Sequence, residues 1–142
     1  MEIETGTVVY WRHFRPTNLG GEIKPVYMLC LGRDPITCDA IFTYLHRFTT
    51  KKSGGKYMVP FDQHKYPNIF TEPCVLDFDE RGYETPGYYI EDNAENIEIK
   101  GKLNNDDLRR VFKMISKSPK YSPVTRVAIR DSFSRIGITL KK

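Results

Sequence analysis

For its first hundred positions the chain alternates short apolar runs with clusters of turn-forming residues, and then it changes to a helical period. Residues 5–11, TGTVVYW, are β-branched and aromatic, which predicts a strand. RHFRPTNLGGEIK follows, where Pro16, Asn18, Gly20 and Gly21 predict a loop. The run 25–31, PVYMLCL, is almost wholly apolar and bounded by Pro25 and Gly32, so it predicts a buried central strand rather than a helix. GRDPITCD reads as a turn, and AIFTYLHRF at 40–48 as a returning strand. TTKKSGGK turns again, with Gly54 and Gly55 free to take positive φ. KYMVPF at 56–61 predicts a short strand, which Pro60 places at an edge or an end. CVLDF at 74–78 and IEIKG at 97–101 predict two more, with the acidic DERGYETPGYYIEDNAEN between them read as exposed loop.

Two helices are punctuated more sharply. Asn104 or Asn105 caps a helix running to about Ser116, with Asp106 and Asp107 in its first turn, where the helix dipole favours acids. Leu108, Val111, Phe112 and Ile115 fall at i, i+3, i+4 and i+7, one face of a helix, while Arg109, Arg110 and Lys113 lie off it. Ser122 caps the second helix, Pro123 occupies its first position and Gly137 stands where a C′ residue belongs. Its stripe is less clean, because Val124, Val127, Ala128, Phe133 and Ile136 are interleaved with Arg126, Arg130 and Arg135. About five short strands followed by helices predict an α+β fold, a small, strongly curved, half-open β-barrel in a single domain 1–142. Residues 1–103 would be mainly barrel and 104–142 the C-terminal helices.

Composition narrows the class. Hydrophobic residues make up 39% and charged residues 28%, which is too apolar for a disordered chain. No stretch approaches the roughly 18 apolar residues that span a bilayer. The opening MEIETGTVVYWRHF carries two acids before a short apolar run, unlike a secretory leader, so a cytoplasmic protein is expected, without a membrane partner. Cys30, Cys38 and Cys74 are an odd set with no CxxC pair, which fits free thiols in a reducing compartment. With His46 and His64 they match no zinc spacing, so neither metal nor cofactor is expected.

The net charge of +4 hides a segregation: residues 1–59 carry +3, residues 60–99 carry −8 and residues 100–142 carry +9. A basic C-terminal block suits a polyanionic partner. It equally suits the chain's own acidic block, within the fold or across a dimer, or a solvated helix face.

The order of motifs carries a resemblance. GTVVYW, then RPTN, then GGEIKPVYML is similar to the opening of the MazF/PemK family of toxin ribonucleases: a Gly-led strand, a D-P-T-x-G-like loop, and R-P leading into a buried strand. Phe61-Asp62, Tyr66 and PCVLDFDE at 73–80 resemble the approach to that family's late strand, and GKLNNDDLRRVF at 101–112 resembles its closing helix. The similarity spans roughly residues 5–116; residues 117–142 extend beyond the usual family length. The resemblance implies an SH3-like barrel, a homodimer, metal-independent cleavage of single-stranded RNA by the RNA's own 2′-OH, and a cognate antitoxin as partner. Such a reaction needs a base, a cation for the phosphorane charge and an acid for the leaving oxygen.

Carried over residue by residue, the family's phosphate-facing Arg falls on Lys24, which keeps the charge without the bidentate fork. Its catalytic Thr or Ser at the end of the third strand falls on His46, a residue able to serve as base or acid near neutral pH, with Thr49 and Thr50 just beyond. Its acidic or amide position falls on Asp79 or Glu80; an Arg that one subgroup places just before it is replaced by Asp77. The catalytic set expected from the resemblance is therefore Lys24, His46 and Asp79. Arg12, Arg15 and Arg47, with Thr49 and Thr50, would contact RNA, and Tyr10, Trp11 or Phe14 would stack bases. Strand alternation sends Tyr10 and Trp11 to opposite faces, so at least one belongs to the core. His64 and the Asp77/Asp79 pair have the ordinary alternative of an acidic loop, and His46 that of an exposed strand-end histidine beside Arg47. Three functions follow: an endoribonuclease toxin; a non-catalytic binding module or protein-target inhibitor, CcdB-like, on the same fold; and an accessory protein whose basic C-terminal extension docks on nucleic acid.

Overall fold

The strand β1 (Thr7–Phe14) and the long strand β2 (Lys24–Thr37) form the spine of an antiparallel sheet, seen in a computed structural model. It describes residues 1–14, 24–37, 40–50 and 54–140, without the side chains of 35–37 and 40. Arg15 and Cys38 therefore lie outside the described residues, as does most of the early loop. The strands β3 (Ala40–Thr49), β4 (Met58–Phe61), β5 (Cys74–Asp77), β6 (Tyr83–Pro86) and β7 (Ile97–Lys102) complete the sheet. Its order is β4-β5-β3-β2-β1-β7, and β6 pairs with the first part of β3 while β5 pairs with its end. The fold is α+β, a curled and open antiparallel half-barrel with seven strands among the described residues rather than about five.

Two expectations are corrected. GRDPITCD is largely strand, because β2 runs on to Thr37 and pairs with β3 as far as Thr37↔Ala40. The acidic stretch contains β6 and the short helix α1 (Gly87–Asp92), followed by a 3-10 turn at Ala94–Asn96. Both escape a reading from periodicity, because four-residue strands with one buried position carry almost no pattern.

The curl comes from irregular pairing. Register shifts between Trp11 and Phe14 and between Val8 and Val9 bend β1, and shifts between Cys30 and Gly32 and between Asp34 and Thr37 bend β2. Gly32 sits at the β2 bend with φ 149°, a conformation side chains rarely adopt, and there the strand presses against Ser132. Ser132 Oγ accepts the Arg33 N–H at 3.2 Å, which ties that bend to a helix.

The sheet is buried on both faces at its centre, which explains the unbroken apolar run in β2. One face packs Val8, Leu29, Leu31 and Phe48 under the helices α2 (Asn105–Ile115) and α3 (Pro123–Arg135), through Leu108, Val111, Ile115, Ile129 and Phe133. The other packs Val9, Trp11, Met28, Cys30 and Leu45 against Ile3, Ile90 and Ile97. The capping expectations hold: Asn104 accepts the Asp107 N–H, Ser122 accepts the Thr125 N–H, and Gly137 has φ 88° just past α3. Cys30 and Cys74 are free and buried, and burial pushes each thiol up to about 12.

Asp107 anchors α2 to the β4–β5 connection. Its buried carboxylate accepts from the Tyr66 hydroxyl, from Lys65 at 3.1 Å and from Arg110 at 2.7 Å. Burial works to raise its pKa, but these donors outweigh it and hold the carboxyl below its ordinary range. Asp107→Ala is expected to cost about 2–4 kcal/mol, since it leaves a phenol and an ammonium without their acceptor. A shift of the urea midpoint corresponding to less than about 1 kcal/mol would show the contact to be dispensable.

Candidate functional site

β3 carries most of the expected chemistry, and the structure separates its members. His46 stands opposite Leu29 and is fully buried. Its Nδ1 lies 2.6 Å from the Tyr121 hydroxyl and its Nε2 lies 2.9 Å from the Asp77 carbonyl. A carbonyl can only accept, so Nε2 carries the proton and Nδ1 accepts from Tyr121. The imidazole packs 4.5 Å from the Phe78 ring, centroid to centroid, and burial pushes its pKa down to about 4. The ring is neutral, fully hydrogen-bonded and out of solvent. The ring therefore does not meet solvent, as a base or acid for RNA would have to, and it is not the exposed strand-end histidine of the ordinary alternative either.

Lys24 is exposed at the first position of β2, opposite Phe14. Five residues separate it from Leu29, the partner of His46, or roughly 17 Å along a strand. An odd separation also puts the two on opposite faces of the sheet. The reason is local: the irregularity between Trp11 and Phe14 puts its extra residue in β1, opposite Lys24 and Val26, so β2 itself keeps its alternation from Lys24 to Leu29. Asp79 is engaged in a turn, where its carboxylate accepts the Tyr57 N–H at 3.1 Å and its own N–H donates to Asp77 Oδ1 at 3.0 Å. Lys24, His46 and Asp79 thus form no common cluster.

The expected RNA contacts divide. Trp11 has no exposed surface and packs on Phe14 and Tyr89 in the second core, so it offers no stacking face. Arg47 is held by Glu80 through two parallel bonds, both 2.9 Å, which raise its pKa and neutralise its charge locally. Arg12 is exposed, 3.3 Å from Glu98, an open surface pair that contributes little to stability and exchanges readily. Lys100 reaches the same carboxylate at 3.5 Å, so two cations share one acid.

Beside them lies a cluster that the sequence reading did not assemble. Tyr10 and Tyr27 face each other across β1 and β2 with ring centroids 4.8 Å apart, and both are partly exposed. Glu98 pairs with Tyr10 in the ladder, which brings the Arg12 guanidinium to the tyrosine face. Tyr27 also lines a shallow recess of about 70 Å³ together with Thr49, Thr50 and Phe70. Two expected threonines and one expected arginine therefore border a single aromatic strip. The alternation that buries Trp11 is the signal that turns Tyr10 outward; Tyr27 hid inside an apolar run.

A second recess, about 470 Å³, opens between β6 and the start of α3, with Arg81 and Lys120 at its mouth. Tyr121 and Gly82 line it but His46 does not. A Cβ at Gly82 would lie 2.5 Å from the Tyr121 hydroxyl and 3.3 Å from His46 Nδ1, so only glycine lets the backbone close over that pair. Among the described residues no three His, Cys, Asp or Glu side chains converge in a way that could hold a metal ion, and no helix is long and apolar enough to cross a membrane. No protein-family model matches the chain, and no curated protein matches it.

Proposed function

We propose that this chain is a single-stranded RNA-binding module of the MazF/PemK-like kind, using the tyrosine strip, and that His46 is not its reacting group. The observation that carries this reading is the Tyr10–Tyr27 pair, flanked by Arg12 and Lys100 at one end and by Thr49 and Thr50 at the other. Partly exposed aromatic faces stack unpaired bases, and cations beside them follow the phosphates without reading sequence. Base stacking contributes about 1–3 kcal/mol per base, so two tyrosines suffice for a measurable affinity.

A fluorescent ten-nucleotide oligoribonucleotide titrated in EDTA tests it. Tyr27→Ala is expected to weaken binding about tenfold, in line with one lost stacking contact. Arg12→Ala is expected to lower the salt dependence by about one phosphate contact. His46→Gln should leave the affinity of the folded protein unchanged. RNA that fails to bind, or binding indifferent to Tyr27, removes the proposal.

The ribonuclease reading stands second, favoured by the hydroxyls of Thr49 and Thr50 at the end of β3 beside the strip. Under it the threonines take the role that the resemblance gives to the family's Thr or Ser, and Arg12, on the strip's own face, takes that of its Arg in place of Lys24. Fragments with cyclic-phosphate ends, suppressed by Arg12→Ala but not by His46→Gln, would establish cleavage.

A further inference from the structure

We propose that the groove between α2 and α3 docks an acidic amphipathic helical segment of another protein. The two helices cover one face of the sheet with their inner stripes and touch each other through Phe112 and Phe133, ring centroids 5.9 Å apart. Their outer flanks enclose a groove of about 740 Å³. Its floor is apolar: Phe112, Val127 and Leu140. Val127 is 46% exposed and Val124, one turn before it, is 72% exposed. Aliphatic side chains on the outer flank of a helix with no covering element mark an unpartnered surface.

The walls are cationic. Lys113 and Lys117 rise on one side, Arg126 and Arg130 on the other, and Arg109 closes one end. No carboxylate lines the groove among the described residues. Arg109 is shared with Asp106 in an exposed pair, and Arg126 donates to the Ser118 carbonyl. The Nε of Arg126 is buried without a hydrogen-bond partner, an unmet donor at the groove wall. No ion pair of the described residues engages Lys113, Lys117 or Arg130.

Charge and shape together select the occupant. An apolar floor between two helices receives apolar side chains spaced i, i+3, i+4 and i+7, the pattern of a helix laid in a groove. The cationic walls require carboxylates on the flanks of that helix. Nucleic acid would satisfy the cations but leave Val127 and Leu140 facing phosphate and sugar. A second copy of this chain could offer α1, its acidic helix, but α1 has only six residues, whereas α2 is eleven residues long, about 16 Å. A segment of roughly 11–14 residues with leucine-like anchors and glutamates beside them fits both floor and walls.

The test uses a fluorescein-labelled 16-residue peptide with Leu at i, i+3, i+4 and i+7 spacing and Glu and Ala elsewhere, titrated with the whole protein. Saturable binding is expected, weakened at least tenfold by the double variant Lys113→Glu, Arg130→Glu and by Val127→Asp. All three side chains are exposed, so circular dichroism should show the variants folded. A peptide of the same composition in scrambled order should bind at least tenfold more weakly. Absence of saturable binding, or equal binding of the scrambled peptide, overturns the proposal. So does a 16-nucleotide oligoribonucleotide whose binding is lost in these variants while the peptide's is not, and so does a concentration-dependent dimer that they abolish in place of peptide binding.

Discussion

Gly32→Ala is expected to destabilise the protein by about 3–5 kcal/mol, a large share of the 5–15 kcal/mol that holds an ordinary domain together. Two independent costs contribute. An alanine at φ 149° is strained, at about 1–3 kcal/mol. Its Cβ would also stand 2.5 Å from the Cβ of Ser132, so either α3 or the β2 bend must shift, which costs about 1–3 kcal/mol in a packed interior. The shift would also stretch the hydrogen bond between Ser132 Oγ and the Arg33 N–H. Removing the obstructing carbon separates the two causes: in Gly32→Ala, Ser132→Gly the steric part should be recovered and the strain should remain. Urea denaturation of the two single variants and the double variant measures both. If Gly32→Ala alone loses less than about 1 kcal/mol, the bend is not under the constraint described.

The second large effect belongs to His46. Its folded pKa is depressed to about 4, against about 6.5 in the unfolded chain. Between those values the unfolded chain binds the extra proton and the native protein does not, so stability rises with pH across this window. The contribution is complete above about pH 6.5 and is lost as pH falls towards 4, by about 3 kcal/mol in total. Stability measured at intervals from pH 7 to 4.5 should show that slope, and His46→Gln should flatten it. His46→Ala at pH 7 should cost about 3–5 kcal/mol, because it opens a cavity beside Phe78, strands the Tyr121 hydroxyl and takes away one of the donors to the Asp77 carbonyl, which keeps the Glu80 N–H. An imidazole that titrates near 6.5 in the native protein would show the ring to be open to water.

The same ring explains how the C-terminal extension is attached. Tyr121 lies between α2 and α3, and through His46 it is joined to β3 and to the end of β5. Ser118 adds a bond from its hydroxyl to the Phe78 carbonyl, a second tie between that connection and the sheet. A histidine read as reactive is, in place, a fastener for the helices whose outer groove is the proposed docking surface.

Where a local rule decided the outcome, the chain was legible from its letters. Asn104, Ser122, Pro123 and Gly137 marked the ends of α2 and α3 because caps act within one turn. The unbroken apolar run in β2 announced a strand covered on both faces, and alternation required that one of Tyr10 and Trp11 be core. Tertiary structure decided the rest. That β2 continues past Gly32 depends on β3 lying beside it, and the existence of β6 depends on the free edge of β3; neither leaves a periodic trace in four to six residues. The fate of His46 turned on Tyr121, seventy-five positions away, and that of Arg47 on Glu80. Desolvation and pairing are properties of three-dimensional neighbours, so sequence can propose an ionisable group but only packing determines whether it meets water.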